Sequence, residues 1–410
     1  MDLPLCHKAL VFDRLRLPCI REVSAFHKGV APLILNDLPL VILPQPEILR
    51  TMKSPATSLF SRRRFLQTTG AGVSFASPNL ITTRKGWSAD QKMVIGSGEH
   101  TYECEHFWGT LPDGTTYGNA SHGVAFDDNG LIYVTHTGGP DSVFVFDADG
   151  KFVKSLVPDH SKGEGRASGH GIDIRKESDG KEYLYLSPAD PAMAFTKATM
   201  DGEVIWTRGK AELEKDSGQK LAKYRPTNAS FAPNGDVYLG DGYGSGVIFR
   251  YTGDGEFVTC FGGTGTEDGK FKTPHGQWLD ARDGTPKIVI CDRANMRLQW
   301  FDMDNNHLKT MDGFLFPADI DIQGELLLVP DLHSRLTILD KEDKVIAQLG
   351  DDEAWRNRCL DKSEKMRASP DKWQAGKFVH PHDAAFDKEG NIFVAEWVVG
   401  GRVTKLRKVS

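Results

Sequence analysis

The chain has 410 residues, 39% hydrophobic and 26% charged, which is enough for a sizeable core. No run of 18 apolar residues occurs, so no transmembrane helix is expected. Forty-two glycines and 21 prolines point to many tight turns rather than a helical bundle, and the net charge of −6 argues against nucleic acid as a partner.

Charge divides the chain in chain order. Residues 1–85 carry 12 Lys and Arg against 5 Asp and Glu, and the remainder carries 38 against 51. Ser61-Arg62-Arg63-Arg64-Phe65-Leu66, followed by the apolar, glycine-containing stretch Thr68–Ala76, resembles a twin-arginine export signal. Ser74 and Ala76 supply the small residues expected before a cleavage point, which predicts an exported, periplasmic or extracellular protein. Residues 1–51 read as sequence ahead of the true start, with Met52 as the natural initiator, and 52–85 as signal and linker. The body is then 86–410. Its cysteines, Cys104, Cys260, Cys291 and Cys359, show no zinc spacing and read either as up to two disulfides or as buried free thiols.

One unit recurs through the body: an anchor residue, an apolar strand, an Asn-Gly or Asp-Gly turn, a second strand, a polar turn and a third strand. His122–Val134 with Val143–Gly150, Pro226–Leu239 with Val247–Gly255, and His382–Val394 are the clearest copies. The anchors are His122, His170, Thr227, His275, Ala318 and His382, at spacings of 48, 57, 48, 43 and 64 residues. A repeat of this length with four strands per unit predicts an all-β fold, a six-bladed β-propeller. The last anchor leaves too few residues for four strands. A strand from 92–111, with Met93–Ile95 and Tyr102–Cys104 as candidates, is expected to close the ring and remove the open sheet edge.

In this fold the first strand of each blade lines the central channel, so the anchors share one mouth. His170, His275 and His382 occupy alternate anchors, about 120° apart in a six-fold ring, and three histidines with an open position make a catalytic zinc pattern. The plainer reading is that a His-Gly anchor ties its strand to the next blade by a hydrogen bond, and His122, which breaks the alternation, favours it. The loops after the second strands open on the same face. Gly240–Gly246 presents Tyr243, a general base if a metal lowers its pKa, or else a packing residue. Cys291–Arg297 presents Arg293, suited to a bidentate grip on a carboxylate, or else to a structural ion pair with Asp241 or Asp292. Two long polar inserts, Arg208–Tyr224 and Asp351–Phe378, are expected to overhang this face as lids or as a solvated cover.

These motifs resemble the NHL repeats of six-bladed propellers. Asp241-Gly242-Tyr243, Pro274-His275, Asp292-Arg293 with Arg297-Leu298-Gln299, and Pro381-His382-Asp383 are similar in order and spacing to the peptidyl-α-hydroxyglycine α-amidating lyases. The resemblance implies a zinc enzyme that cleaves a hydroxyglycine-extended peptide into a peptide amide and glyoxylate. By the same resemblance, zinc falls on His170, His275 and His382, the catalytic tyrosine on Tyr243 and a substrate arginine on Arg293. A structural calcium falls on Asp383 and the backbone carbonyls of Val124 and Ile172. The chain departs from the family at Thr137, where a second active-site arginine is expected, at His380 in place of a methionine, and at Gly244 in place of a disulfide cysteine. A lyase with this departure would have to borrow Arg166 or His136 in place of the missing cation. The competing expectation is a non-catalytic propeller that binds a protein or glycan partner through its rim.

Overall fold

In the computed structural model, residues 93–138, 142–156, 169–188 and 194–409 are described. The expected start at Met52, the export signal, Arg166 and the first residues of the 86–410 body lie outside them.

Strand-forming runs between Gly-containing turns pair antiparallel into six sheets. The first five blades take residues 121–156, 169–208, 229–262, 274–312 and 321–349, four strands each. Each innermost strand meets the innermost strands on either side, and the sixth meets the first, so the ring is closed. The sixth blade is built from Pro381–Phe386, Ile392–Glu396 and Arg402–Lys408, then His100–His106 and, outermost, Met93–Ser97. The chain-front closure expected from the sequence is therefore present, with a fifth strand beyond the four required. The register pairs Cys104 with Leu406 and Tyr102 with Lys408.

The core lies between blades. Val134 and Phe144 of blade one pack against Phe393 of blade six, and Leu328 and Ile338 of blade five against Val394, Leu406 and Tyr102. In blades four, five and six, a buried acid ends the second strand and is met from the third. Arg297 Nε donates to Asp292 at 2.7 Å, Arg335 to Asp331 at 3.0 Å, and Arg402 to Glu396 at 2.7 Å through Nε and 2.6 Å through Nη2. These pairs fix where each second strand stops and its outgoing loop begins.

The four cysteines are free, three of them buried, which matches the thiol reading and not the disulfide one. The two inserts differ. Asp351–Phe378 folds on itself, with Trp355, Cys359, Met366 and Trp373 packed on Val379 and Val398, and Arg367 reaching the Asn119 carbonyl in front of blade one. Arg208–Tyr224 forms a helix, Lys210–Ser217, whose Leu213, together with Leu221 and Tyr224, joins the cluster of Phe249 and Tyr251. Gln219 donates to Cys260 Sγ on the outermost strand of blade three. The first insert thus rests on blade three, where its apolar residues find their partners.

Candidate metal centre

The anchor histidines reach the axis through a shared distortion. The ladder between first and second strands slips between Ser121 and Val124, Gly169 and Ile172, Pro274 and Gln277, and Pro381 and Asp383. Each slip brackets an anchor histidine. A bulge at the rim of a sheet bends the strand and re-aims the side chain it carries. The glycine after three of the histidines permits the close approach that follows. A Cβ on Gly276 would sit 2.3 Å from the Cα of Asp319 in the next blade.

That approach sets up a relay between blades. His170 Nδ1 lies 2.9 Å from the Thr227 carbonyl, His275 Nδ1 2.6 Å from that of Ala318, and His382 Nδ1 3.1 Å from that of His122. A carbonyl only accepts, so each Nδ1 carries the proton and each Nε2 is left with its lone pair. The plainer reading of the anchors, a tie to the next blade, is thus present together with the ligand geometry, because one ring nitrogen serves each. This is the outer-shell arrangement that orients metal-binding imidazoles.

Three rings lie face to edge around the axis. Centroids of His170, His275 and His382 are separated by 4.9, 4.8 and 4.8 Å. Nε2 of His170 and of His382 is buried with no hydrogen-bond partner. Burial holds His170 down to about 4 and His275 and His382 well below the ordinary imidazole range, so all three are neutral near pH 7. Neutral, desolvated imidazoles with available lone pairs, such as those of His170 and His382, are suited to a divalent ion. His122 stands with them: its ligand nitrogen and those of His170 and His382 all lie within 4.8 Å of one another.

Tyr243 and Arg293 meet at this cluster. Asp241 is buried and accepts from the Arg225 amide at 2.6 Å and from Ser245 N and Oγ at 2.7 Å, which closes the loop that carries Tyr243. Gly244 is required in that closure, since a Cβ there would sit 2.2 Å from Asp241 Oδ1, and a cysteine does not fit. Tyr243 Oη is 3.0 Å from His275 Nε2 and 3.1 Å from Arg293 Nη1. With the His275 proton on Nδ1, the tyrosine hydroxyl donates to His275 and accepts from Arg293. Arg293 is buried and makes no carboxylate ion pair among the described residues. Asp292 is engaged by Arg297, Gln299, Asn295 and the Lys272 amide, and Asp241 by backbone and Ser245. The structural ion pair considered for Arg293 is therefore absent, and its Nε has no partner.

The other expected residues fall elsewhere. Asp383, Val124 and Ile172 line one cavity, further along the innermost strands than the histidines, together with Asp173, Asn228, Asp319 and Asp321. Asp383 Oδ2 accepts from the Val124 amide at 2.8 Å. Asp173 Oδ2 is buried and unpartnered. Thr137 has a buried hydroxyl with no partner. His136 stacks on Phe144 at 3.8 Å and accepts from the Gly138 amide through Nδ1, so it is packed within blade one. His380 is tied to the Leu332 carbonyl and faces Trp397.

Sequence reasoning missed two neighbours of the tyrosine. Arg225 lies over the Tyr243 ring at 5.4 Å, and Phe316 lies beneath Arg293 at 5.0 Å. Arg225 stands one residue before the repeat copy that begins at Pro226, and its contact with Asp241 is visible only in the fold. Phe316 sits in the loop before the fifth anchor and carried no signal in the sequence.

Thr135 links the first two anchors. Its hydroxyl donates to the His170 carbonyl at 2.5 Å and accepts from the Gly123 amide at 2.7 Å. Thr135→Val keeps shape and strands both groups in the interior. An expected loss of about 1–3 kcal/mol follows, read as a lower midpoint in urea unfolding.

No family model matches the chain. Human NHL repeat-containing protein 3 is 26% identical over 263 residues, which cover 58% of this chain and 69% of that protein. Peptidyl-alpha-hydroxyglycine alpha-amidating lyase 1 of Drosophila melanogaster is 28% identical over 254 residues, or 55% of this chain and 42% of the lyase, so the match spans less than half of the lyase's length. Among solved structures, virginiamycin B lyase from Staphylococcus aureus superposes with a TM-score of 0.45 and 13% identity, over 75% of this chain and 100% of that one. The chain is a six-bladed β-propeller similar in sequence to NHL-repeat proteins and to an amidating lyase, with a histidine cluster that can hold a metal ion.

Proposed function

We propose that this chain is a metal-dependent enzyme of the amidating-lyase type, exported through the twin-arginine pathway, that acts on a small polar or peptide substrate bearing a carboxylate. The observation that carries the reading is the clustering of the His170, His275 and His382 rings, 4.8–4.9 Å apart, with Tyr243 and Arg293 beside them. His170, His275 and His382 would hold the ion through Nε2, and zinc is the ion the resemblance favours. When bound there, a zinc ion supplies Lewis acidity toward a substrate hydroxyl.

The protein's own groups do the rest. Arg293, buried and with no carboxylate partner among the described residues, binds the substrate carboxylate through its fork. Tyr243 Oη, 3.1 Å from Arg293 Nη1, is the oxygen placed beside that carboxylate site, and we assign it the role of taking the hydroxyl proton. The electron pair left on oxygen becomes the aldehyde carbonyl of glyoxylate, the C–N bond breaks with its pair going to nitrogen, and the departing amide nitrogen receives the proton that Tyr243 took. Phe316 and Arg225 close the flanks of the arginine and tyrosine against water. Thr137 offers a neutral hydroxyl where the family has a cation, so carboxylate binding rests on Arg293. Asp383, with Val124 and Ile172, would hold a calcium ion that braces the channel. Asp173, with its unpartnered buried carboxylate oxygen, fits such a cation.

The test is glyoxylate release from a peptidyl-α-hydroxyglycine by the zinc-supplied protein. Release is expected, and Tyr243→Phe should lower kcat on the order of 10²-fold or more with the metal content unchanged. No release from a metal-loaded protein would turn the reading toward the rim-binding propeller, which the neutral Thr137 favours.

A further inference from the structure

The anchor relay has one exception. By the rule that holds His170, His275 and His382, each through Nδ1 on the next anchor's carbonyl, His122 would donate to the His170 carbonyl. That carbonyl is taken by the Thr135 hydroxyl at 2.5 Å. His122 Nδ1 is left buried with no partner, and the residue is only 5% exposed. Its ring is not held by the backbone as the other three are, yet it stands against two of them. Its centroid is 5.1 Å from that of His170 and 4.9 Å from that of His382.

The four rings therefore form two triangles that share the His170–His382 edge, one completed by His275 and one by His122. The ligand nitrogens of the second triangle lie within 4.8 Å of one another. The free nitrogen of His275 is meanwhile engaged by Tyr243. A buried imidazole with an unpartnered nitrogen is costly unless something accepts that lone pair or proton, and none of the described residues does.

We infer that His122 is itself a ligand of the ion, making the centre a four-histidine one. This rests on the metal-binding reading above. It differs chemically from a three-histidine centre. Four imidazoles leave a substrate only a fifth or sixth position, and so suit a divalent first-row ion that accepts more than four ligands.

The side chain can be removed without touching the relay, because His382 is held by the His122 carbonyl and not by its ring. The full chain, loaded with zinc, is measured by metal analysis and by X-ray absorption, which counts imidazoles about the ion. The wild-type protein should bind one ion per chain with four imidazoles. His122→Ala should show one imidazole fewer and an affinity lower by about tenfold or more, with an unchanged circular dichroism spectrum. An identical imidazole count in the two proteins overturns the proposal while leaving the other histidines as ligands. A wild-type protein that takes up no ion at all overturns the metal reading itself. If His122→Ala does not fold, the wild-type count decides alone, four supporting the assignment and three overturning it.

Discussion

Replacing His170 with alanine should abolish stoichiometric metal binding and, with it, turnover, by a factor on the order of 10³ or more. His170, like His382, belongs to both triangles of imidazoles, and its Nε2 has no partner to lose among the described residues. The substitution should cost little stability from the metal-free state. It removes a desolvated imidazole and one hydrogen bond, to the Thr227 carbonyl, while the strand keeps its ladder. Metal content by mass spectrometry, thermal midpoint and glyoxylate release, measured on one preparation, separate the cases. Loss of metal and activity with a preserved fold is the expected result. Retention of a full equivalent of metal would place the ion elsewhere, and retained turnover without metal would remove the ion from the chemistry.

The blade count was legible because a propeller repeats its local chemistry. Asn-Gly and Asp-Gly turns and anchor residues recur at spacings that only a strand-rich unit of that length satisfies, and the shortfall after His382 forced the closing strand to come from the chain's front. The alternate histidines were legible for a related reason: a six-fold ring turns a sequence alternation into convergence. What could not be read depends on tertiary competition. His122 looked like an argument for structural anchors alone, and it sits at the metal-side cluster because Thr135, on a different strand, occupies the carbonyl that would have held it. Arg225 and Phe316 come to Tyr243 and Arg293 through loops whose paths are set by Asp241 and by the neighbouring blade. The insert Arg208–Tyr224 looked polar overall, and three apolar residues were enough to draw it onto blade three.

Calcium should stabilise the protein at pH 8 and do little at pH 5. The cavity beyond the histidines gathers Asp173, Asp319, Asp321 and Asp383, all buried. Burial lifts Asp321 to about 6. Burial first, and neighbouring carboxylates second, hold Asp173, Asp319 and Asp383 well above the usual range. Without a cation, the folded state binds these protons more tightly than the unfolded chain does. The associated stability is fully present below about pH 4 and is lost as pH rises through about 6 and beyond. Moving Asp321 alone from 3.8 to about 6 is worth roughly 3 kcal/mol over that window. A divalent ion reverses the sign, because it favours the ionised carboxylates and binds the folded state only, and its contribution grows as protons leave. In chelator, the thermal midpoint should therefore fall between pH 5 and pH 8, and millimolar calcium should restore it at pH 8. Asp383→Asn should blunt the calcium response and flatten the fall of the chelated midpoint with pH, because it removes one of the buried groups that titrate. A midpoint indifferent to calcium at pH 8, in a protein whose stability falls with pH as described, would leave the four carboxylates as a proton-linked cluster and remove the cation from the channel.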